Sequence, residues 1–133
     1  MMRRSVVAPG STILIVEDEP PIAAFLADFL QEEGYRTQTA RTKAAALHHL
    51  TTTLPDLILL DLHLLGGDGV AVVRAIQTDA RNAHIPVIIL SALHEQVPRE
   101  LRPHVFTVLP KPVDISVLLR HIQAALPPLQ EAT

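Results

Sequence analysis

The chain has 133 residues, a length that predicts one domain around one core rather than two folded modules. Hydrophobic residues make up 48% and aromatics only 3%, so the core must be built from Leu, Ile, Val and Ala. The net charge is −3, the pI is near 6.1, and no cluster of basic residues with interleaved aromatics appears, which argues against direct nucleic-acid binding. The absence of cysteine removes disulfide frameworks, thiolate metal sites and cysteine nucleophiles together. Met1 to Arg4 starts like a signal peptide, but Pro9-Gly10 interrupts the apolar stretch too soon for an h-region. No apolar run is long enough to span a bilayer. The expectation is a soluble, cytoplasmic protein without a membrane partner.

Taken in order, apolar periodicity alternates strands and helices from about residue 12 to residue 126. Thr12 to Val16 is a β-branched, continuously apolar run, as a strand buried on both faces requires. Pro20 and Pro21 follow, where a first helical turn tolerates proline. Ile22, Phe25, Leu26, Phe29 and Leu30 then share one helical face, and Gly34 ends that helix. Tyr35 to Ala40 reads as a second strand and Lys43 to Leu50 as an alanine-rich helix. Pro55 and Asp56 lead into a buried strand, Leu57 to Leu60. Gly66, Gly67 and Gly69 predict a loop before a helix from about Val70 to Thr78. Pro86 to Leu90 and Val105 to Leu109 are the last two strands. Ile115, Leu118, Leu119 and Ile122 mark a final helix, with Asp114 placed to cap it.

The expected fold class is α/β: a doubly wound, five-stranded parallel sheet with helices on both faces. The domain is expected over residues 11–126, between tails at 1–10 and 127–133. In such sheets ligands bind beyond the carboxyl ends of the strands. Glu17 and Asp18 follow the first strand, Asp61 the third, Ser91 the fourth and Lys111 the fifth. Four strand ends therefore bring carboxylates, a hydroxyl and an ammonium to one place.

Crowded carboxylates repel one another and raise a pKa unless a cation intervenes. No histidine or cysteine ligand set accompanies them, so a hard, oxygen-seeking ion such as Mg²⁺ fits best. Asp61 is then the candidate nucleophile, because carboxylates form aspartyl-phosphate intermediates. The metal and Lys111 would neutralise the phosphoryl group, and Ser91 would supply a hydroxyl donor.

These segments resemble the receiver domains of two-component response regulators. Ile13-Leu14-Ile15-Val16-Glu17-Asp18-Glu19-Pro20 is similar to the family's first strand and acidic pair, here Glu-Asp where two aspartates are more usual. Asp56 to Leu62 resembles the phosphoacceptor strand, and Gly66 to Gly69, with Asp68, its loop. Ile85 to Ala92 resembles the strand carrying the switch hydroxyl, and Leu109-Pro110-Lys111-Pro112 the lysine-proline signature. The resemblance covers residues 12 to 126 and implies the flavodoxin-like strand order 2-1-3-4-5. It implies Mg²⁺ on Glu17, Asp18, Asp61 and the backbone carbonyl of His63, with Asp61 as phosphoacceptor and Lys111 and Ser91 assisting. It also implies a cis Lys111–Pro112 peptide, a histidine kinase or histidine phosphotransfer protein as donor, and an unknown downstream protein. A homodimer is left open. The chain would be no enzyme beyond its own phosphorylation and dephosphorylation. His63 and Leu65 replace the family's frequent methionine and proline. The stretch from Ser91 to Lys111 matches least well, with Pro98 and Pro103 within it and Val108 at the aromatic switch position.

Singly, each residue has a plainer explanation. Glu17 and Asp18 could be charges favoured by a helix N-terminus, Asp61 a turn residue, Ser91 a cap and Lys111 a surface lysine. Those explanations do not account for the agreement of four strand ends. The seven histidines form no HExxH-type motif, and the glycines near Asp61 lack the Gly-Lys-Ser/Thr of a P-loop. Two further functions compete with a phosphorylated receiver. One is a pseudo-receiver, the same fold used as a phosphate-independent interaction or dimerisation module, which the divergent segment from Leu93 to His104 favours. The other is a phosphohydrolase of the haloacid dehalogenase type. It typically needs a second aspartate where His63 stands.

Overall fold

Thr12–Val16 forms strand β1, and Ile13 to Val16 are all essentially inaccessible to solvent. In the computed structural model, which describes residues 10–64, 68–92 and 97–126, β1 is the second strand from one edge of a five-stranded parallel sheet. The other strands are β2 (Arg36–Ala40), β3 (Leu57–Asp61), β4 (Val87–Ser91) and β5 (Thr107–Pro110), and their spatial order is β2-β1-β3-β4-β5. The expected sheet and order are both present. Every residue of β3 and β4 is buried, which is why these strands read as unbroken apolar runs instead of alternating ones.

Alternate side chains of each strand enter two separate cores. Ile13, Ile15, Leu57, Leu59, Ile88, Leu90 and Leu109 pack against helix α1 (Pro20–Glu32) through Leu26 and Leu30, and against helix α4 (Ile115–Ala125) through Leu118 and Ile122. On the opposite face Leu14, Val16, Ile58, Leu60, Val87 and Ile89 meet helix α2 (Lys43–Thr52) and helix α3 (Asp68–Thr78). Helices thus cover both faces.

Local chemistry sets the element ends. Proline occupies the first positions of α1, Gly34 turns the chain out of it with φ 100°, and Thr42 caps α2 by accepting from the Ala45 N–H. Asp114 caps α4, its Oδ1 accepting from the Ser116 and Val117 N–H groups at 2.8 and 3.2 Å. The Lys111–Pro112 peptide is cis.

Several boundaries differ by a residue or two from the sequence expectation. Helix α3 begins at Asp68 rather than Val70, so Gly69 belongs to its first turn and not to the preceding loop. Gly66 and Gly67 lie outside the described residues. β5 begins at Thr107 rather than Val105, although the Phe106 N–H already donates to the Val87 carbonyl at 2.8 Å. Between β4 and β5 the described residues hold a 3-10 helix, Arg99–His104, with Pro103 inside it, where proline disfavours a long regular α-helix. Leu101 fastens it to the α2/α3 core, and the Arg74 guanidinium of α3 donates to Glu100 at 2.7 Å.

Candidate functional site

Parallel pairing carries the polar residues to one edge of the sheet. Register aligns Asp61 with Leu90, and Ser91 with Pro110, so Asp61, Ser91 and Lys111 emerge from three successive strands. Glu17 leaves the end of β1, its N–H held by the Ala40 carbonyl at 3.0 Å. Three of these polar groups are buried: Glu17 is 1% exposed, Asp61 2% and Ser91 3%.

Asp61 is the centre of the hydrogen bonding. Its Oδ1 accepts from the Lys111 ammonium at 2.9 Å and from the His63 backbone N–H at 3.0 Å. Lys111 is in turn placed by its own backbone N–H, which donates to the Ser91 carbonyl at 2.8 Å. Burial opposes the charge on Lys111. The hydrogen bond and charge of Asp61, with Glu17 and Glu19, outweigh that penalty and hold the ammonium pKa above its ordinary value. The Ser91 hydroxyl donates to the Ala92 carbonyl at 3.2 Å.

Glu17 carries the unsatisfied acceptor of the cluster. Its Oε2 accepts from the Glu19 N–H at 3.2 Å, whereas its buried Oε1 has no hydrogen-bond partner. Burial first, and then the neighbouring charge of Asp61, push its pKa up to about 7. A carboxylate oxygen buried without a donor is costly unless a proton or a cation meets it. Carboxylate oxygens of Glu17, Asp18 and Glu19 lie within 4.8 Å of one another. An all-oxygen acidic set with an orphaned acceptor fits a hard divalent cation.

The structure therefore brings together Glu17, Asp18, Asp61, Ser91 and Lys111, with the His63 backbone folded back onto Asp61 while its side chain is exposed. Glu19 was not singled out from sequence, although three consecutive acidic residues after an apolar strand were a signal for it. Gly69 was read only as a turn residue. A Cβ built there would collide with the Leu62 carbonyl oxygen and lie 2.7 Å from the carbonyl carbon and 2.8 Å from Cα.

The chain matches the family described as Response regulator receiver domain over residues 13–123. It belongs to that family. It is 37% identical over 87 residues to the phosphate regulon transcriptional regulatory protein PhoB of Klebsiella pneumoniae, an alignment covering 65% of this chain and 38% of that protein. The receiver therefore spans well under half the length of this curated relative. Among solved structures it resembles the receiver domain of a sensor histidine kinase from Pseudomonas aeruginosa PAO1, which has magnesium coordinated in its active-site cleft. That match has a TM-score of 0.77 and 30% identity, covering 86% of this chain and 96% of the other. The response regulator TrrA of Thermotoga maritima, in complex with Mg(2+)-BeF, superposes with a TM-score of 0.78 at 28% identity, covering 87% of this chain and 99% of that one. As a receiver domain the chain is a two-component signalling module. Among the described residues no helix is long and apolar enough to cross a membrane.

Proposed function

We propose that this receiver accepts a phosphoryl group on Asp61 from the phosphohistidine of a histidine kinase or phosphotransfer protein, with Mg²⁺ held by Glu17, Asp18, Asp61 and the His63 carbonyl. The observation that carries this reading is the buried Asp61 carboxylate, bound by Lys111 at 2.9 Å and repelling the charge of Glu17, whose Oε1 is buried without a hydrogen-bond partner. When bound, the cation supplies charge neutralisation for the phosphoryl oxygens. Both hydrogen bonds to Asp61 fall on Oδ1, so Oδ2 is the oxygen that attacks phosphorus. One P–O bond forms as the P–N bond to the donor imidazole breaks, and the leaving nitrogen keeps the electron pair. Lys111 then shares its ammonium with a phosphoryl oxygen, and Ser91 turns its hydroxyl from the Ala92 carbonyl to another.

A protein donor has a surface to use beside the site. Phe25 of α1 is 57% exposed and Ile22 36%, and with Leu26, Lys111, Pro112 and Val113 they line a groove of about 440 Å³. Lys111 lines the groove and also binds Asp61, so a partner seated there lies beside the phosphoacceptor. The test is incubation with acetyl phosphate or a histidine kinase and Mg²⁺. One phosphoryl group is expected, lost in Asp61→Asn; a label on histidine or serine in the intact protein defeats the proposal.

The pseudo-receiver reading rests on a separate observation, the 3-10 helix that the described residues hold between β4 and β5. It predicts that beryllium fluoride with Mg²⁺ leaves the spectrum and stability of the protein unchanged.

A further inference from the structure

We propose that Gly69 is a positioning residue for Asp61, acting through the peptide that joins Leu62 to His63; the inference rests on the phosphoacceptor role proposed above. Glycine is the poorest ordinary helix former, so its place in the first turn of α3 calls for a reason. The reason is a backbone contact. Any Cβ at position 69 would overlap the Leu62 carbonyl oxygen, carbon and Cα, and these main-chain atoms cannot swing aside as a flexible side chain can.

Leu62 is restrained on its other sides. Its N–H donates to the Leu90 carbonyl at 2.9 Å, and its side chain, 7% exposed, is packed in the core that α3 shares. The freedom left is the tilt of the Leu62–His63 peptide. A peptide unit is planar, so the Leu62 carbonyl and the His63 N–H move together. One end of this plane rests against Gly69, and the other donates to Asp61 Oδ1 at 3.0 Å. A side chain at 69 would tilt the plane and draw the His63 N–H off Asp61. Misplacement of a reacting group by about 1 Å can cost on the order of 100-fold in rate.

The experiment compares Gly69→Ala with Val73→Ala, a buried core substitution one turn along the same helix. Phosphorylation by acetyl phosphate in Mg²⁺ and the His63 amide resonance are measured for each, together with the melting temperature. Gly69→Ala should be phosphorylated at least tenfold more slowly with its His63 amide proton shifted upfield. Val73→Ala should melt earlier yet keep the parent rate and resonance. A folded Gly69→Ala protein with the parent rate and an unmoved His63 amide overturns the proposal, as does an equal slowing in Val73→Ala. If Gly69→Ala does not fold, the parent protein decides. Its Gly69 and His63 amide resonances should shift together on adding Mg²⁺ and beryllium fluoride, and a stationary Gly69 beside a shifting His63 overturns the coupling. A parent chain that takes no phosphoryl group defeats the phosphoacceptor reading instead.

Discussion

Lys111 reaches past β4 to meet Asp61: its ammonium lies 2.9 Å from Asp61 Oδ1, although β5 and β3 are not paired with each other. The contact spans the strand that carries Ser91, whose carbonyl holds the Lys111 N–H. The two members of this pair are not equivalent. Lys111 is the cation opposite a carboxylate that is 2% exposed, whereas Asp61 is one of two buried acids that repel.

Substitutions at the two positions should therefore move stability in opposite directions without Mg²⁺. Lys111→Ala leaves a buried carboxylate uncompensated and should destabilise by roughly 1–3 kcal/mol. Asp61→Asn removes the repulsion felt by Glu17 and should hold or raise the melting temperature, while abolishing phosphorylation. Thermal melts of both variants check this. A melting temperature that falls further for Asp61→Asn than for Lys111→Ala contradicts the electrostatic account.

Glu17 predicts a pH dependence of unusual sign. Its pKa is raised from 4.5 to about 7 in the fold, so between those values the folded chain binds more protons than the unfolded one. The stability it contributes is full below about pH 4.5 and is lost as pH rises through about 7. The shift sets an upper limit of ~3 kcal/mol. Mg²⁺ favours the ionised carboxylate, so cation affinity should rise across the same window and cancel the loss. Melting curves from pH 5 to 8, with and without Mg²⁺, should show this pattern, and Glu17→Gln should flatten the dependence. An unchanged slope in Glu17→Gln assigns the effect to another group.

The sheet was legible because parallel strands buried on both faces leave uninterrupted β-branched runs, as at Leu57 to Leu60, and because Asp114 announces its helix by a capping side chain. The strand-end rule then located Glu17, Asp18, Asp61, Ser91 and Lys111 without any structure. What stayed hidden depends on tertiary distance. Gly69 looks like a loop glycine until the Leu62 backbone is seen against it. Nor does any local pattern tie Arg74 to Glu100 or leave Glu17 Oε1 without a donor. The start of β5 was misjudged because Val105 and Phe106 carry strand-forming side chains, whereas Pro103 keeps the preceding turn in a 3-10 helix.

Ser91 should separate phosphoryl uptake from the response to it. Its hydroxyl donates to the Ala92 carbonyl, while the contact that places Lys111 uses the Ser91 backbone and survives truncation of the side chain. Ser91→Ala should accept a phosphoryl group at a rate within a few-fold of the parent. It should lose most of the change in amide exchange that follows. A folded Ser91→Ala protein that cannot be phosphorylated contradicts this division.

The response itself should travel through the backbone between β4 and β5 rather than through a rotating aromatic ring. Val108 stands where a ring would swing; its β-branched side chain has few rotamers and is already 39% exposed. Phe106 shares its strand parity, one pleat further from Asp61, and is 44% exposed, so it has no buried state to leave. The adjoining 3-10 helix has the attachments of a shifting element. Leu101 is its one buried residue, the Gln77 amide reaches the Leu101 carbonyl at only 3.5 Å, and the Arg74–Glu100 pair is more than half exposed on both sides. An exposed pair of this kind contributes about 0–1 kcal/mol, so a small bias from the site can change the population of the docked turn. Glu100→Ala should lower overall stability by no more than about 0.5 kcal/mol while speeding amide exchange over residues 97–105. In the parent protein, beryllium fluoride with Mg²⁺ should alter exchange across 97–109, the described part of the segment that follows Ala92. Exchange that stays constant there, with a rotamer change confined to Phe106, would show that a displaced aromatic carries the signal and that the backbone does not.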